Sequence, residues 1–227
     1  MHYSRTKKED YVPGSPVNAL SIKPRFKEYH LIDLNSEKAD FLKDLLKDQK
    51  DVYVYNEDCN RVLLERVFPR CKYEDYRRAL CLLDPYGLHL NWEVIKTAGK
   101  MKSIDIFLNF PVTDMNRNVL WNNPKGVDES NLSCMNAFWG DDSWRTAAYG
   151  TEGNLFGFQE KTDNPTIARA FQERLKKVAG FSFVPDPMPM RNSKSAMLYY
   201  LFFASYNQIG DKIAKAIFKK YRHKGKT

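Results

Sequence analysis

The feature that most constrains the fold is a short apolar run that ends in an acid and a turn, Leu80–Gly87. Its first four residues are apolar and unbroken, which predicts a fully buried central strand. Asp84 would lie at the carboxyl end of that strand, where open α/β sheets bind their ligands. Pro85 and Gly87 force a turn, so Asp84 and the ring of Tyr86 would be held close together. The alternative is that Asp84–Gly87 only turns the chain, because Asp, Pro and Gly are common turn residues.

Strand-like and helical segments alternate along the chain, which predicts one α/β domain over residues 1–227 with a mostly parallel sheet. Strands are expected near residues 29–33, 52–55, 80–84 and 104–110, and a final pair at 181–184 and 197–206. The short connection within that pair favours antiparallel pairing of the last strand. A helix is expected through Trp92 and Ala98 and closed by Gly99, and short helices are expected at about 112–163 as an insert or cap. A parallel sheet that ends in an antiparallel strand is the Rossmann-like arrangement of class I methyltransferases.

Composition indicates a soluble protein with one sizeable core. The chain has 227 residues, of which 43% are hydrophobic and 28% are charged, and the mean hydropathy is −0.58. The longest apolar run, Leu198–Ala204, is too short to cross a bilayer, so no membrane association is expected. The first ten residues are polar and do not resemble a signal peptide. Four scattered cysteines favour neither a zinc site nor a disulfide framework, and a reducing cytoplasm is the simplest compartment.

The net charge of +8 and the pI near 9.2 permit contact with nucleic acid without demonstrating it. Much of the excess lies near the end of the chain, at Lys215, Lys219, Lys220, Arg222, Lys224 and Lys226. A solvated helix end is the simpler explanation, since cations suit the dipole of a helix carboxyl terminus. A phosphate-binding tail is the alternative.

Several segments in the same order resemble the three-Cys-motif partner proteins. They are Gly14–Leu20, Glu28–Leu34, Leu82–Gly87, and Pro187–Asn192 followed by Leu198–Leu201. The resemblance covers about Gly14 to Ile213. It implies a methyltransferase-like fold and a radical-SAM-like partner protein that carries the three cysteines. Such proteins are often encoded in phage-related or mobile regions.

The resemblance to the wider methyltransferase superfamily implies roles for individual residues. Asp33 would bind the ribose hydroxyls of S-adenosylmethionine, and Asp58 would lie near the adenine amino group. Asp84, Pro85 and Tyr86 resemble the catalytic motif of amino-methyltransferases, in which a carboxylate or amide holds the target amine and a ring stacks on the base. This chain has one proline where the motif has two, and Tyr86 falls one position early, so the amine specificity stays open. Helix capping or simple solvation is the alternative for Asp33 and Asp58.

One element of the superfamily is missing from the sequence. No apolar run precedes Gly14, and no Gly-x-Gly occurs anywhere, so the first strand and its glycine-rich cofactor loop are not found. We therefore expect the natural reading frame to continue upstream of Met1, and we expect this chain to bind S-adenosylmethionine poorly.

Three functions follow from these observations. The first is an S-adenosylmethionine-dependent methyltransferase, acting on nucleic acid and truncated at its amino end. The second is a catalytically inactive interaction partner of the radical-SAM-like protein. A nuclease ranks lowest, because Asp33, Asp58 and Asp84 end separate strands and would not cluster around a metal ion.

Overall fold

The computed structural model describes residues 14–150 and 160–222. These residues belong to two compact units, which comprise residues 1–62 and 63–227. The described part of the first unit contains α1 (Ser15–Ser21), β1 (Tyr29–Ile32), α2 (Ser36–Leu45), β2 (Val52–Tyr55) and α3 (Cys59–Val62).

The first unit is built on a parallel pair of strands. β1 and β2 pair in register from Tyr29 with Val52 to Ile32 with Tyr55. The side-chain amide oxygen of Asn35 caps α2 by accepting the backbone N–H of Lys38. Both strands lie where the sequence predicts them, and their predicted parallel orientation is confirmed.

The second unit contains the larger sheet. Its elements are β3 (Ala79–Leu83), α4 (Trp92–Met101), β4 (Ile104–Phe110), α5 (Val112–Asn118), α6 (Glu129–Trp139), α7 (Trp144–Ala148), β5 (Tyr149–Gly150), β6 (Glu160–Lys161), α8 (Asn164–Arg174), β7 (Met188–Arg191), β8 (Met197–Ala204) and α9 (Gln208–Tyr221). Short helical turns lie at Leu63–Val67, Phe68–Arg70, Pro124–Gly126 and Leu175–Ala179. α5, α6 and α7 fall within residues 112–163, of which 151–159 lie outside the described residues.

The large sheet has the strand order β3-β4-β8-β7. β3 and β4 are parallel, and β8 is antiparallel to both of its neighbours, β4 and β7. Three strands therefore run in one direction and one runs against them. This agrees with the predicted mixed α/β fold, in which a mostly parallel sheet carries an antiparallel strand.

The main core lies on one face of β4, whose side chains alternate between the two faces of the sheet. Ile104, Ile106, Leu108 and Phe110 are at most 1% exposed. The ring of Phe110 packs against Phe171 of α8 at a centroid distance of 4.7 Å. On the other face, α9 covers the sheet through a cluster that includes Phe203 and Phe218. β4 is thus covered on both faces and is one of the two inner strands of the sheet.

The final strand pair differs from the prediction. The partner of β8 is Met188–Arg191, whereas Phe183 of the predicted strand at 181–184 forms only an isolated bridge with Ser205. The strand at 188–191 contains Pro189, which lacks a backbone donor. β7 is the last strand of the sheet and pairs with β8 on one side. Pro189 is tolerated there because, among the described residues, no strand on the other side needs a hydrogen bond from its backbone.

Two further predictions are corrected by the structure. Among the described residues β3 is an edge strand of its sheet and not a central one, and it leaves Leu80 43% and Leu82 55% exposed. Gly99 does not close α4, because the helix continues to Met101 and ends at Lys102 in the left-handed conformation. Gly99 instead lies buried inside the helix, where a Cβ atom would be 2.1 Å from the carbonyl oxygen of Ala179.

Candidate functional site

The candidate site begins with Asp84, the residue that follows β3. Because β3 and β4 are parallel, their carboxyl ends lie at the same edge of the sheet. This brings Asp84 next to Asn109 of β4, whose side-chain Nδ2 donates a hydrogen bond of 2.6 Å to Asp84 Oδ1. The other carboxylate oxygen has no hydrogen-bond partner in the part of the chain that the structure describes.

An open groove of about 260 Å³ lies at this edge of the sheet; we call it the Asp84 groove. It is formed by the turn after β3, the end of β4, α5 and the beginning of β8. Its lining residues are Asp84, Pro85, Asn109, Pro111, Thr113, Asp114, Arg117, Leu198 and Tyr199. The lining combines apolar walls with two carboxylates, an amide and one guanidinium group, which suits a polar ligand with a planar apolar part.

Local contacts fix the walls of the Asp84 groove. The hydroxyl of Thr113 donates to the carbonyl oxygens of Met197 and Leu198, which ties α5 to the beginning of β8. Gly87 has φ of +56°, and a Cβ atom there would lie 2.6 Å from Asp114 Oδ2. A side chain at position 87 would therefore be strained and would displace the Asp114 carboxylate from the wall.

Tyr86 lies beside the groove and is not part of its lining. Its side chain is 91% exposed, and its ring stacks on that of His89 with a centroid distance of 6.3 Å and an interplanar angle of 16°. The structure therefore brings Asp84 and Pro85 into the groove, whereas Tyr86 presents an exposed ring to solvent next to it.

Asp33 and Asp58 lie in the first unit, after β1 and β2. Asp33 Oδ1 accepts the backbone N–H of Asn35. Asp58 Oδ1 accepts the backbone N–H of Arg61, and Oδ2 accepts from the side chain of Asn60. Asp58 therefore caps the helix that follows it, which is the alternative to cofactor binding that the sequence offers for this residue. Since β1 and β2 are parallel, both acids follow strand ends at the same edge of their small sheet.

Sequence reasoning missed Asn109 and Arg117 as residues of the Asp84 groove. Asn109 had a recognisable signal, because it is a polar residue in an apolar strand and stands two residues before Pro111. Its contact with Asp84 depends on the pairing of β3 with β4, which places Leu83 beside Leu108. That register is not encoded in either segment alone, so the contact could not be read from the sequence.

The described residues provide neither a metal site nor a membrane span. Within 14–150 and 160–222, no three His, Cys, Asp or Glu side chains are grouped so that they could hold a metal ion. The four cysteines form no disulfide and are all partly buried. None of the described helices has the length and apolar character needed to cross a membrane.

Comparison of the chain with protein-family models, with curated proteins and with solved structures finds no match in any of the three. The resemblance to the three-Cys-motif partner proteins therefore stays a prediction, and a proposal about function has to rest on the geometry of the Asp84 groove.

Proposed function

We propose that the protein is a methyltransferase-like member of the three-Cys-motif partner type, and that its Asp84 groove receives an amine of a nucleic-acid base. The observation that carries the proposal is the position of Asp84. A carboxylate with one uncommitted oxygen lies at the carboxyl end of a parallel strand, at the edge of an open groove, beside an exposed aromatic ring.

In this proposal Asp84 holds the acceptor and Asn109 holds Asp84. The Oδ2 oxygen would accept an N–H of the amine, which turns the nitrogen lone pair toward the incoming methyl group. The 2.6 Å hydrogen bond from Asn109 to Oδ1 keeps the carboxylate in one orientation. Positioning of this kind matters because a small displacement of a reacting group costs about 100-fold in rate.

Tyr86 and Arg117 would bind the rest of the acceptor. A tyrosine ring that is 91% exposed can stack on any nucleobase, whatever the sequence of the strand. The guanidinium group of Arg117 lies in the groove lining and supplies a cation for a phosphate. Base and phosphate recognition by these two residues, combined with amine recognition by Asp84, supports a nucleic-acid acceptor.

The cofactor implied by this function is S-adenosylmethionine, which would supply the methyl group. By resemblance Asp33 would bind the ribose hydroxyls; it follows a parallel strand, and one of its oxygens has no hydrogen-bond partner among the described residues. Asp58 fits less well, since both of its oxygens accept local hydrogen bonds. No Gly-x-Gly occurs in the sequence, so no residue of this chain is assigned to the methionine end.

A transfer assay with methyl-labelled S-adenosylmethionine and single-stranded DNA, duplex DNA or RNA tests the proposal. Asp84→Ala should reduce label transfer by about 100-fold while calorimetry shows unchanged cofactor binding. Tyr86→Ala should raise the KM for nucleic acid. Asp142→Ala and Tyr76→Ala are matched controls, because both residues are exposed in the second unit outside the groove. Loss of cofactor binding in Asp84→Ala would make Asp84 a cofactor residue.

A second candidate function is that of an interaction partner without catalysis, and the edge of β3 favours it. Ala79–Leu83 contains no charge, proline or bulge, which are the usual means of protecting an edge strand from pairing. Two side chains of β3 are exposed, Leu80 at 43% and Leu82 at 55%, and β4 is its paired neighbour among the described residues, which favours this edge as the place where a partner adds a strand. By resemblance the partner would be the radical-SAM-like three-Cys-motif protein. Binding of that purified protein, together with no cofactor binding and no label transfer, would favour this candidate over the enzyme.

A further inference from the structure

A second groove, of about 460 Å³, lies in the second unit between α8, the segment after it and α9; we call it the basic groove. It shares no lining residue with the Asp84 groove. Its lining residues are Gln172, Lys176, Val184, Pro185, Asp186, Lys215, Phe218, Lys219 and Arg222. Four of these nine side chains are cationic and one is a carboxylate.

The floor of the basic groove is apolar and fixed. Phe218 is 2% exposed and Val184 is 5% exposed. The buried side chain of Gln172 donates to the carbonyl oxygen of Val184 at 2.9 Å and to Asp186 Oδ1 at 3.3 Å. These hydrogen bonds join α8 to the Val184–Asp186 segment and so fix one wall of the groove.

Two of the four cations are already compensated by carboxylates. Lys215 Nζ lies 2.6 Å from Asp211 Oδ2, and Asp211 is only 4% exposed. Lys176 Nζ lies 3.0 Å from Glu173 Oε1. Because each ammonium group has an anionic partner, these two lysines contribute little net charge to the groove.

Lys219 and Arg222 differ from the other two cations. Neither forms an ion pair with a carboxylate among residues 14–150 and 160–222. The Nη2 atom of Arg222 donates to the carbonyl oxygens of Asp186 and Pro187, at 3.3 Å each. Carbonyl oxygens orient the guanidinium group without neutralising it, and its other N–H donors have no carboxylate partner among the described residues.

We propose that the basic groove binds the phosphate groups of a nucleic-acid strand. An oriented guanidinium group matches two phosphate oxygens at once, and an uncompensated ammonium group supplies a second point charge nearby. The groove of about 460 Å³ leaves room beside these cations for another part of the same strand. The net charge of +8 attracts a polyanion from a distance. The proposal is independent of methyl transfer, because strand binding is measured without any cofactor.

Fluorescence anisotropy with a labelled oligo-dT strand, titrated over a range of salt concentrations, tests the proposal. Removing one cation that neutralises a phosphate of a single strand lowers the affinity by about fivefold near 0.1 M salt. The double variant Lys219→Gln/Arg222→Gln should therefore bind about 25-fold more weakly, and its salt slope should fall by about 1.4. Lys100→Gln/Lys125→Gln removes the same charge elsewhere in the second unit, where both lysines are exposed and form no ion pair among the described residues, and should change the affinity by no more than about twofold.

The carboxylate of Asp186 gives a test of the opposite sign. Asp186→Asn removes the one anion among the described residues that line the groove, and it keeps an oxygen that can accept from Gln172. This variant should bind the strand about fivefold more tightly, since it removes one repulsive charge beside a phosphate. Tighter binding here, together with weaker binding in the double variant, is the result that the proposal requires.

Three outcomes would overturn the proposal. Equal weakening in both double variants would mean that diffuse charge attracts the strand. Binding of inorganic pyrophosphate but not of the oligonucleotide would make the ligand a free phosphate compound. Unchanged strand binding with a lower melting temperature by circular dichroism would mean that Lys219 and Arg222 serve only the end of α9.

Discussion

Gly99 tests the packing of the second unit, because two effects of opposite sign act on its replacement by alanine. Gly99 lies in α4, and a helix interior favours alanine over glycine by about 1 kcal/mol. A Cβ atom at this position, however, would lie 2.1 Å from the carbonyl oxygen of Ala179 and 2.8 Å from its carbonyl carbon. Both are backbone atoms, so no flexible side chain can move aside.

The clash should outweigh the gain in helix propensity. The carbonyl oxygen lies far inside the range of a normal contact, which places the overpacking cost at about 3 kcal/mol, the upper end of the usual range. Subtracting the propensity gain leaves a net destabilisation of about 2 kcal/mol. For a protein of this size the melting temperature should fall by about 4–8 °C.

Urea unfolding followed by circular dichroism measures the effect, and Gly210→Ala is the matched control. Gly210 also lies in a helix, α9, but the atoms nearest to its added Cβ are side-chain atoms of Phe203 and Ser205 at 3.3 Å. Gly210→Ala should therefore destabilise the protein less than Gly99→Ala does, because its nearest contacts are 3.3 Å and not 2.1 Å. A Gly99→Ala protein that is as stable as the unsubstituted chain would refute the close packing of α4 against Ala179.

Two further predictions concern Arg174, which lies over Trp92 at 4.7 Å and donates to the carbonyl oxygen of Trp139 and to Asp141. Arg174→Ala should lower the free energy of unfolding by about 2–4 kcal/mol in urea, and Arg174→Lys should recover part of the loss; equal losses would contradict a role for the guanidinium fork. Burial would raise the pKa of Asp141, but hydrogen bonds from Ser143 and Arg174 outweigh it and hold that pKa below its ordinary value. The stability that this carboxylate contributes is therefore fully present above its unfolded pKa of about 3.9, and it is lost as the pH falls through the lower folded pKa. The unsubstituted chain should therefore have a higher urea midpoint than Asp141→Asn near neutral pH, and this difference should vanish in acid.

The sequence was sufficient to predict the strands whose own residues favour a strand. β2 is β-branched and aromatic throughout, and β4 is an apolar run stopped by Pro111. Parallel pairing of β1 with β2, and of β3 with β4, followed from the helices between them. These features depend on local composition and on short connections, which a single sequence contains.

The features that could not be predicted from the sequence depend on contacts with residues from distant parts of the chain. Met188–Arg191 falls in the segment predicted to connect the final strand pair, and its Pro189 is tolerated because β7 is the last strand of the sheet. Glycine is typical of a helix end, and the close packing that requires Gly99 inside α4 is visible only when Ala179 is placed opposite it. Leu80 and Leu82 indicate a buried strand, yet burial is decided by neighbours that their own segment does not specify.

The position of Asp84 bears on both candidate functions, because it follows an edge strand. Its carboxylate is held from β4 through Asn109, so its orientation does not require a partner on the outer side of β3. The outer edge of Ala79–Leu83 would bind an added strand through backbone N–H and C=O groups, which acceptor binding at Asp84 does not use. The two proposed functions are therefore compatible in this unit. Methyl transfer that appears only after addition of the purified protein proposed as the partner would mean that both functions operate together, whereas transfer by the isolated chain would leave the edge of β3 without a role in the reaction.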